Sequence, residues 1–219
     1  MRKSLAGSGS FVLGALPPGV VASLATNTVN NTIDLVVTSV SLPRWEGLAG
    51  GTWDIGITTN WLDRVTLQPM TFQQGYLAVF DDSAQGTTSM TLNTNVTPGG
   101  VLFSNSVLNY TISGSGGIGG GSGITKAGTG SLTLSTANNP YTGPTVIEEG
   151  GTLISTVANN LGANSPLKIG SGTLSLGSNN QKFSSVTVSN GNILGSGAVV
   201  TSPAYNLSGG NITAVLGGG

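Results

Sequence analysis

Short runs of alternating apolar and polar residues recur along the second half of the chain, as in Leu132-Thr133-Leu134, Leu174-Ser175-Leu176 and Val186-Thr187-Val188. Successive side chains of an extended strand point to opposite faces, so each run sets two apolar residues on one side. Gly, Asn, Ser and Pro separate the runs, where turns belong. No apolar stripe with a 3.6-residue period occurs, so the pattern predicts strands and no amphipathic helix.

The runs also repeat at long range. A Gly-polar-aliphatic triplet stands at Gly130-Ser131-Leu132, Gly151-Thr152-Leu153, Gly172-Thr173-Leu174, Gly191-Asn192-Ile193 and Gly210-Asn211-Ile212, at steps of 21, 21, 19 and 19 residues. Leu167, Val186 and Tyr205 follow one another at 19 and 19. Upstream, Met90 and Tyr110, Leu92 and Ile112, and Ile112 and Leu132 are each 20 apart. Asn pairs at 138/139, 159/160 and 179/180 keep the same rhythm. A period of 19–21 residues with two or three short strands per period is the length of one coil of a β-solenoid, whose strands stack on the coils above and below at about 4.8 Å. The expected fold is all-β: a right-handed parallel β-helix of five or six coils over residues 86–219, with Leu132, Leu153, Leu174, Ile193 and Ile212 as one inward column. The Gly before each column member suits a tight bend where a Cβ would clash.

Upstream the organisation changes. The three tryptophans, Trp45, Trp53 and Trp61, stand eight residues apart and mark residues 43–85 as an opening or cap segment. Residues 1–42 read as β, with residues 33–38 as the last strand of a preceding module. Met1-Arg2-Lys3 followed by apolar residues resembles a leader, but Gly7, Gly9, Pro17 and Pro18 interrupt the apolar run, and the rival reading is an internal segment. No stretch reaches the roughly 20 apolar residues of a membrane-spanning helix.

Composition narrows the chemistry. Charged residues make up 7% of the 219, against about 25% in ordinary globular proteins, and the net charge is −1. Such sparse basic residues leave no footprint for nucleic acid. The chain has no His and no Cys. That excludes imidazole-based nucleophilic catalysis, His and thiolate metal sites, and disulfides. The carboxylates Asp34, Glu46, Asp54, Asp63, Asp81, Asp82, Glu148 and Glu149 are dispersed, whereas a glycosidase or lyase needs a convergent pair. Asp81-Asp82 reads as a solvated turn, with calcium binding or acid/base work as its functional rival; Glu148-Glu149 reads as an exposed corner. The Gly-rich run over residues 116–123 lacks the Lys-Ser/Thr of a phosphate loop. No catalytic, cofactor-binding or metal-binding residue is assigned, and no cofactor is expected. Trp45, Trp53 and Trp61 are candidates either for packing at a capped helix end or for stacking on a carbohydrate ligand.

The run Gly123-Ile124-Thr125-Lys126-Ala127-Gly128-Thr129-Gly130-Ser131-Leu132-Thr133-Leu134-Ser135, continued by Asn138-Asn139-Pro140-Tyr141-Thr142-Gly143-Pro144-Thr145 and Gly151-Thr152-Leu153, resembles the autotransporter-associated β-strand repeat. It departs at Pro140, at Pro144 and by an extra residue near Glu149-Gly150, all in loops. Arg44-Trp45-Glu46-Gly47, Gly51-Thr52-Trp53-Asp54, Asn60-Trp61 and Val79-Phe80-Asp81-Asp82 are similar to a segment that opens units in very large bacterial surface proteins carrying this repeat. The resemblance implies a right-handed parallel β-helix in a secreted or surface-anchored, outer-membrane-associated protein of a Gram-negative bacterium. The expected function is a non-catalytic rigid spacer or filament-forming segment, whose partners are neighbouring modules or identical chains meeting end to end. An adhesin for a glycan or host surface is the alternative, and a β-helix polysaccharide lyase or hydrolase ranks last.

Overall fold

The computed structural model describes residues 10–218, so the Met1-Arg2-Lys3 start lies outside the described residues. Every regular element in them is a strand. From residue 77 onward the chain winds as a parallel β-solenoid whose coils expose three faces. On face one, Leu77–Asp81, Gly100–Ser104, Ile124–Ala127, Thr145–Ile147, Pro166–Ile169, Ser185–Val188 and Tyr205–Leu207 pair in that order, all parallel. On face two, Ser89–Thr91, Tyr110–Ser113, Ser131–Leu134, Thr152–Ser155, Thr173–Gly177, Gly191–Gly195 and Gly210–Ile212 do the same. Face three becomes a regular sheet only late, with Gln181–Lys182, Val199–Ser202 and Val215–Gly218.

Alternation along each strand decides what is buried. Leu132, Leu153, Leu174 and Ile193 are fully buried and pair directly, and Ile212 sits on Ile193. Burying each such side chain contributes about 1.5–3 kcal/mol relative to leaving it in water. The glycines before these residues are required by the neighbouring coil. A Cβ on Gly172 would lie 2.4 Å from Ile147 Cγ2, and one on Gly191 would lie 2.2 Å from Ile169 Cγ2.

The register differs from the sequence expectation upstream. Met90 pairs with Ile112, Ile112 with Leu134, and Tyr110 with Leu132, at steps of 22 residues where the sequence pattern suggests 20. Ala78, Val101 and Ile124 stack at steps of 23. The cause is the corner between faces one and two. It shortens from residues 82–88 to 105–109, then 128–130 and finally 189–190. A two-residue slip preserves the strand face, so alternation alone does not reveal it.

Face three holds a second column, and its character changes along the axis. Val96 bridges Ile118, and the Ile118 amide donates to Oδ1 of Asn139 at 2.9 Å. Asn139 Nδ2 donates to Asn160 O at 2.9 Å, and Asn160 Nδ2 donates to Leu134 O at 2.9 Å. Gln181 Nε2 then donates to Ser155 Oγ (3.0 Å) and Val157 O (2.8 Å). Asn139, Asn160 and Gln181 are buried, and Val200 follows Gln181 in register. The inward member of the third Asn pair's coil is therefore Gln181. Asn180 instead accepts the Val199 amide through Oδ1 at 2.8 Å. These amides give the irregular backbone of face three the hydrogen bonds that a sheet provides elsewhere.

Val20–Asn27 and Thr32–Val40 form an antiparallel hairpin ahead of the solenoid. The strand containing residues 33–38 thus pairs within its own hairpin. Pro18 lies against Gly75, and the Ser41 amide donates to Gly19 O at 2.7 Å.

Truncation within the face-two column should cost most where coils cover both sides. Leu153→Ala should lower the unfolding free energy by about 2–5 kcal/mol. Ile212→Ala, at the last coil, should cost clearly less; denaturant titration of both variants checks the difference.

Candidate functional site

Three groups of residues carry chemistry or unusual packing. The first is the tryptophan segment. Pro43–Trp45 adds to face one beside Leu77–Asp81; Trp61–Asp63 and then Pro69–Met70 follow antiparallel. Trp45, Trp53 and Trp61 are buried, as are Phe72 and Phe80. Trp45 meets Trp61 edge-on at 5.3 Å, Trp53 meets Trp61 at 5.4 Å and Phe72 at 5.4 Å, and Phe80 stacks on Phe103 at 4.3 Å and 6°. These geometries suit the ring quadrupoles. Trp45 Nε1 donates to Thr87 O at 2.8 Å, while Trp53 Nε1 is buried without a partner. Buried Asn60 fixes the loop: its Nδ2 donates to Thr52 O and its Oδ1 accepts the Ala49 amide, both at 2.8 Å. No indole presents an open face to solvent on which a sugar ring would stack. The rings fill the interior where the coils begin.

The second group is the carboxylates, most of which are committed to the chain's own donors. Asp82 accepts the amides of Ser106 (2.8 Å), Val107 (2.9 Å) and Leu108 (2.9 Å) from the next coil's corner. These bonds, the one from Leu108 foremost, hold its carboxyl below the usual range. Asp81 accepts the Ser83 amide at 2.9 Å through its side chain, and its carbonyl accepts Tyr110 Oη at 2.6 Å. Asp54 accepts the Thr58 amide at 2.8 Å, Asp63 the Val65 amide at 2.8 Å, and Asp34 the Asn27 Nδ2 at 3.0 Å. Glu46 pairs with Arg44. Glu149 is exposed with φ of 53° at its corner. Among the described residues no three His, Cys, Asp or Glu side chains come together to hold a metal ion.

The third group is one that the sequence pattern does not single out. Lys126 occupies an inward position of face one, in register between Phe103 and Ile147, and is fully buried. Its Nζ donates to Ala127 O (2.5 Å), Gly128 O (2.7 Å) and Asn105 O (3.3 Å). An ammonium has three donors, and here all three are used. Two successive corners are thereby tied by one cation. Burial pushes its pKa down to about 8, opposed by Asp82 and Glu149. Strand alternation offers the signal: Ile124 points in and Thr125 out, so Lys126 points in.

This burial couples stability to pH. A lysine in the unfolded chain keeps its proton to about 10.5, whereas folded Lys126 releases it near 8. Between those values the unfolded state binds more protons, so raising pH favours the folded chain. Burial also holds the Tyr110 and Tyr141 hydroxyls protonated above their ordinary 10, which opposes folding as pH rises past that value. Stability of the native chain should therefore climb from pH 8 to about 10 and then fall. Lys126→Met should remove the climb and keep the fall; chemical denaturation across pH 7–11 measures both.

Residues 124–154 and 167–193 match the family model described as passenger-associated-transport-repeat. Each match begins on or just inside a face-one strand, at Ile124–Ala127 and Pro166–Ile169, and runs to a face-two strand, at Thr152–Ser155 and Gly191–Gly195. The Lys126 corner, the Asn139 amide and the first four members of the Gly-Leu column all fall inside the matched residues. No curated protein and no solved structure matches the chain. The family implies a secreted or surface-exposed protein of a Gram-negative bacterium, and the solenoid fits a structural passenger segment. The coils of residues 124–193 thus belong to the autotransporter passenger repeats.

Proposed function

We propose that this chain is a non-catalytic rigid spacer in the surface-exposed part of its protein, extending it by stacked coils. The observation that carries this reading is the unbroken parallel ladder of face one, from Leu77–Asp81 to Tyr205–Leu207, over a continuous buried column. Backbone pairing in every coil and side chains locked from above and below resist bending and local opening. The carboxylates are spent on turns, the one buried amine is spent on carbonyls, and no nucleophile–base pair is formed among the described residues, so the chemistry present serves the fold. Outer-membrane association and neighbouring coil modules as partners belong to the same proposal.

One feature supports an adhesin as a second reading. Asn138, Asn159 and Asn164 line a surface groove with Pro140 and Thr142. All three are exposed, and their side-chain amides make no hydrogen bond among the described residues. Uncharged amides suit a neutral polar ligand such as a saccharide. The tryptophans do not contribute, because they are buried.

A spacer tolerates a change of length, whereas a binding or active site does not. Leu153 and Leu174 stand in register, so deletion of residues 153–173 removes one coil and rejoins the column. The shortened chain should fold with the same circular dichroism and proteolytic resistance, and should be shorter by about 4.8 Å in small-angle scattering. Failure to fold, or saccharide binding that the loss of Asn159 and Asn164 abolishes, would overturn the spacer reading.

A further inference from the structure

The two ends of the solenoid are built differently. At the start, Trp45, Trp53, Trp61 and Phe72 close the interior, and the outermost face-one strand is Pro69–Met70, whose proline has no N–H to offer. Arg44, Glu46, Asp63 and Arg64 belong to this end. Face two is covered there as well, since the Thr91 amide donates to Gly51 O at 2.7 Å and the Trp53 amide to Thr91 O at 3.0 Å.

The other end has none of these devices. Tyr205–Leu207, Gly210–Ile212 and Val215–Gly218 are the outermost strands of all three sheets. Inward positions that are sealed one coil earlier are open here. Val188 is 0% exposed and its partner Leu207 43%; Val200 is 0% exposed and its partner Leu216 38%. Tyr205 reaches across, its hydroxyl shared between Val200 O (2.6 Å) and Gly217 O (2.7 Å), which fastens the last coil without covering it. No charged residue follows Lys182. Edge strands are usually protected by charge, proline or a bulge, and these three carry no such protection.

We propose that two copies of this 219-residue chain associate tail to tail, last coil against last coil, into a closed dimer. This rests on the spacer reading above and names its partner surface. Head-to-tail stacking would require an open edge at both ends, and the tryptophan end has none. A two-fold axis through the centre of face one sets Tyr205–Leu207 against its own copy. The same axis sets Gly210–Ile212 against the copy's Val215–Gly218. All the new pairs are antiparallel, and the apolar ends of the columns meet. The contact is isologous, so it stops at two. With no charges on either last coil, nothing repels the second copy.

The native chain lacks cysteine, which makes the contact testable by crosslinking. In sedimentation velocity over a micromolar-to-submillimolar series, the native chain should pass from 21.8 kDa to twice that mass and no further. Asn206→Cys should give a disulfide-linked dimer on oxidation, and Leu48→Cys at the tryptophan end should not. Leu207→Lys with Leu216→Lys should weaken the dimer by about tenfold or more while leaving circular dichroism unchanged. Leu35→Lys, on the exposed hairpin, should leave the dimer intact. Folded monomers at every concentration would overturn the dimer and leave the spacer standing. Growth beyond two would overturn the closed contact, and loss of the dimer with Leu35→Lys alone would move it to the hairpin. A chain with no cooperative β fold would instead overturn the spacer reading itself.

Discussion

Each coil of this molecule is stable because its neighbours cover it. A single coil of about twenty residues has no inside: its aliphatic side chains project toward an axis that only the coils above and below can seal. Leu153 is buried because Leu132 and Leu174 lie against it. This mutual dependence explains features that look separate. The glycines ahead of the column are small because the next coil's Ile side chain needs their space. The corners between faces one and two change length along the axis without disturbing the strands, because only the strands are bound by the stacking rule. It also explains why aromatic mass is concentrated at the start, where no coil precedes the column and large rings fill what aliphatic neighbours fill elsewhere.

The same constraint decides how polar groups enter the interior. A buried amide or ammonium is costly unless every donor is met, and here the partners come from successive coils. Asn139 and Asn160 bond along the axis, and Lys126 gathers carbonyls from two corners. Lys126 is the stronger case. It stands in a column of apolar residues with Phe103 before it and Ile147 after it, so its methylene stem continues the packing while its head serves the turn. Its lowered pKa records what this position costs: the charged form has its hydrogen bonds but has left water. A methionine would pack as well and would leave the carbonyls without a donor. The corner therefore trades stability near neutral pH for a fixed path of the backbone where the chain passes from one face to the next.

How much of this is legible in the sequence follows from which rule governs each residue. The column at Leu132, Leu153, Leu174, Ile193 and Ile212 is legible because two rules coincide there, strand alternation and coil period. Upstream, alternation persists but corner length varies, and a two-residue slip between Met90, Ile112 and Leu134 leaves no trace in alternation. The switch from Asn180 to Gln181 on face three has the same origin, since the two residues are adjacent and only the stacking selects which one points in. Lys126 is visible in principle, because Ile124 and Lys126 share a strand face. Its chemistry argues for the outside, and only the carbonyl cluster made by the Asn105 and Gly128 corners reverses that. The tryptophans are open to two readings in the sequence because spacing does not report burial.

Function in this chain is a matter of where chemistry is absent. An enzyme or a ligand trap holds polar groups in reserve, unpaired and pointed at a cavity. Here Asp82 is saturated by three amides, Asp81 and Asp54 by their own turns, Lys126 by three carbonyls and Tyr141 by Thr145. Reserve capacity survives mainly in backbone edges and in the amides of one groove. A molecule that has spent its side chains on its own corners interacts chiefly through its ends, and the ends of this one are unequal. Closure at the tryptophan end therefore carries as much functional meaning as exposure at the other, because the difference between them sets whether stacking stops or propagates.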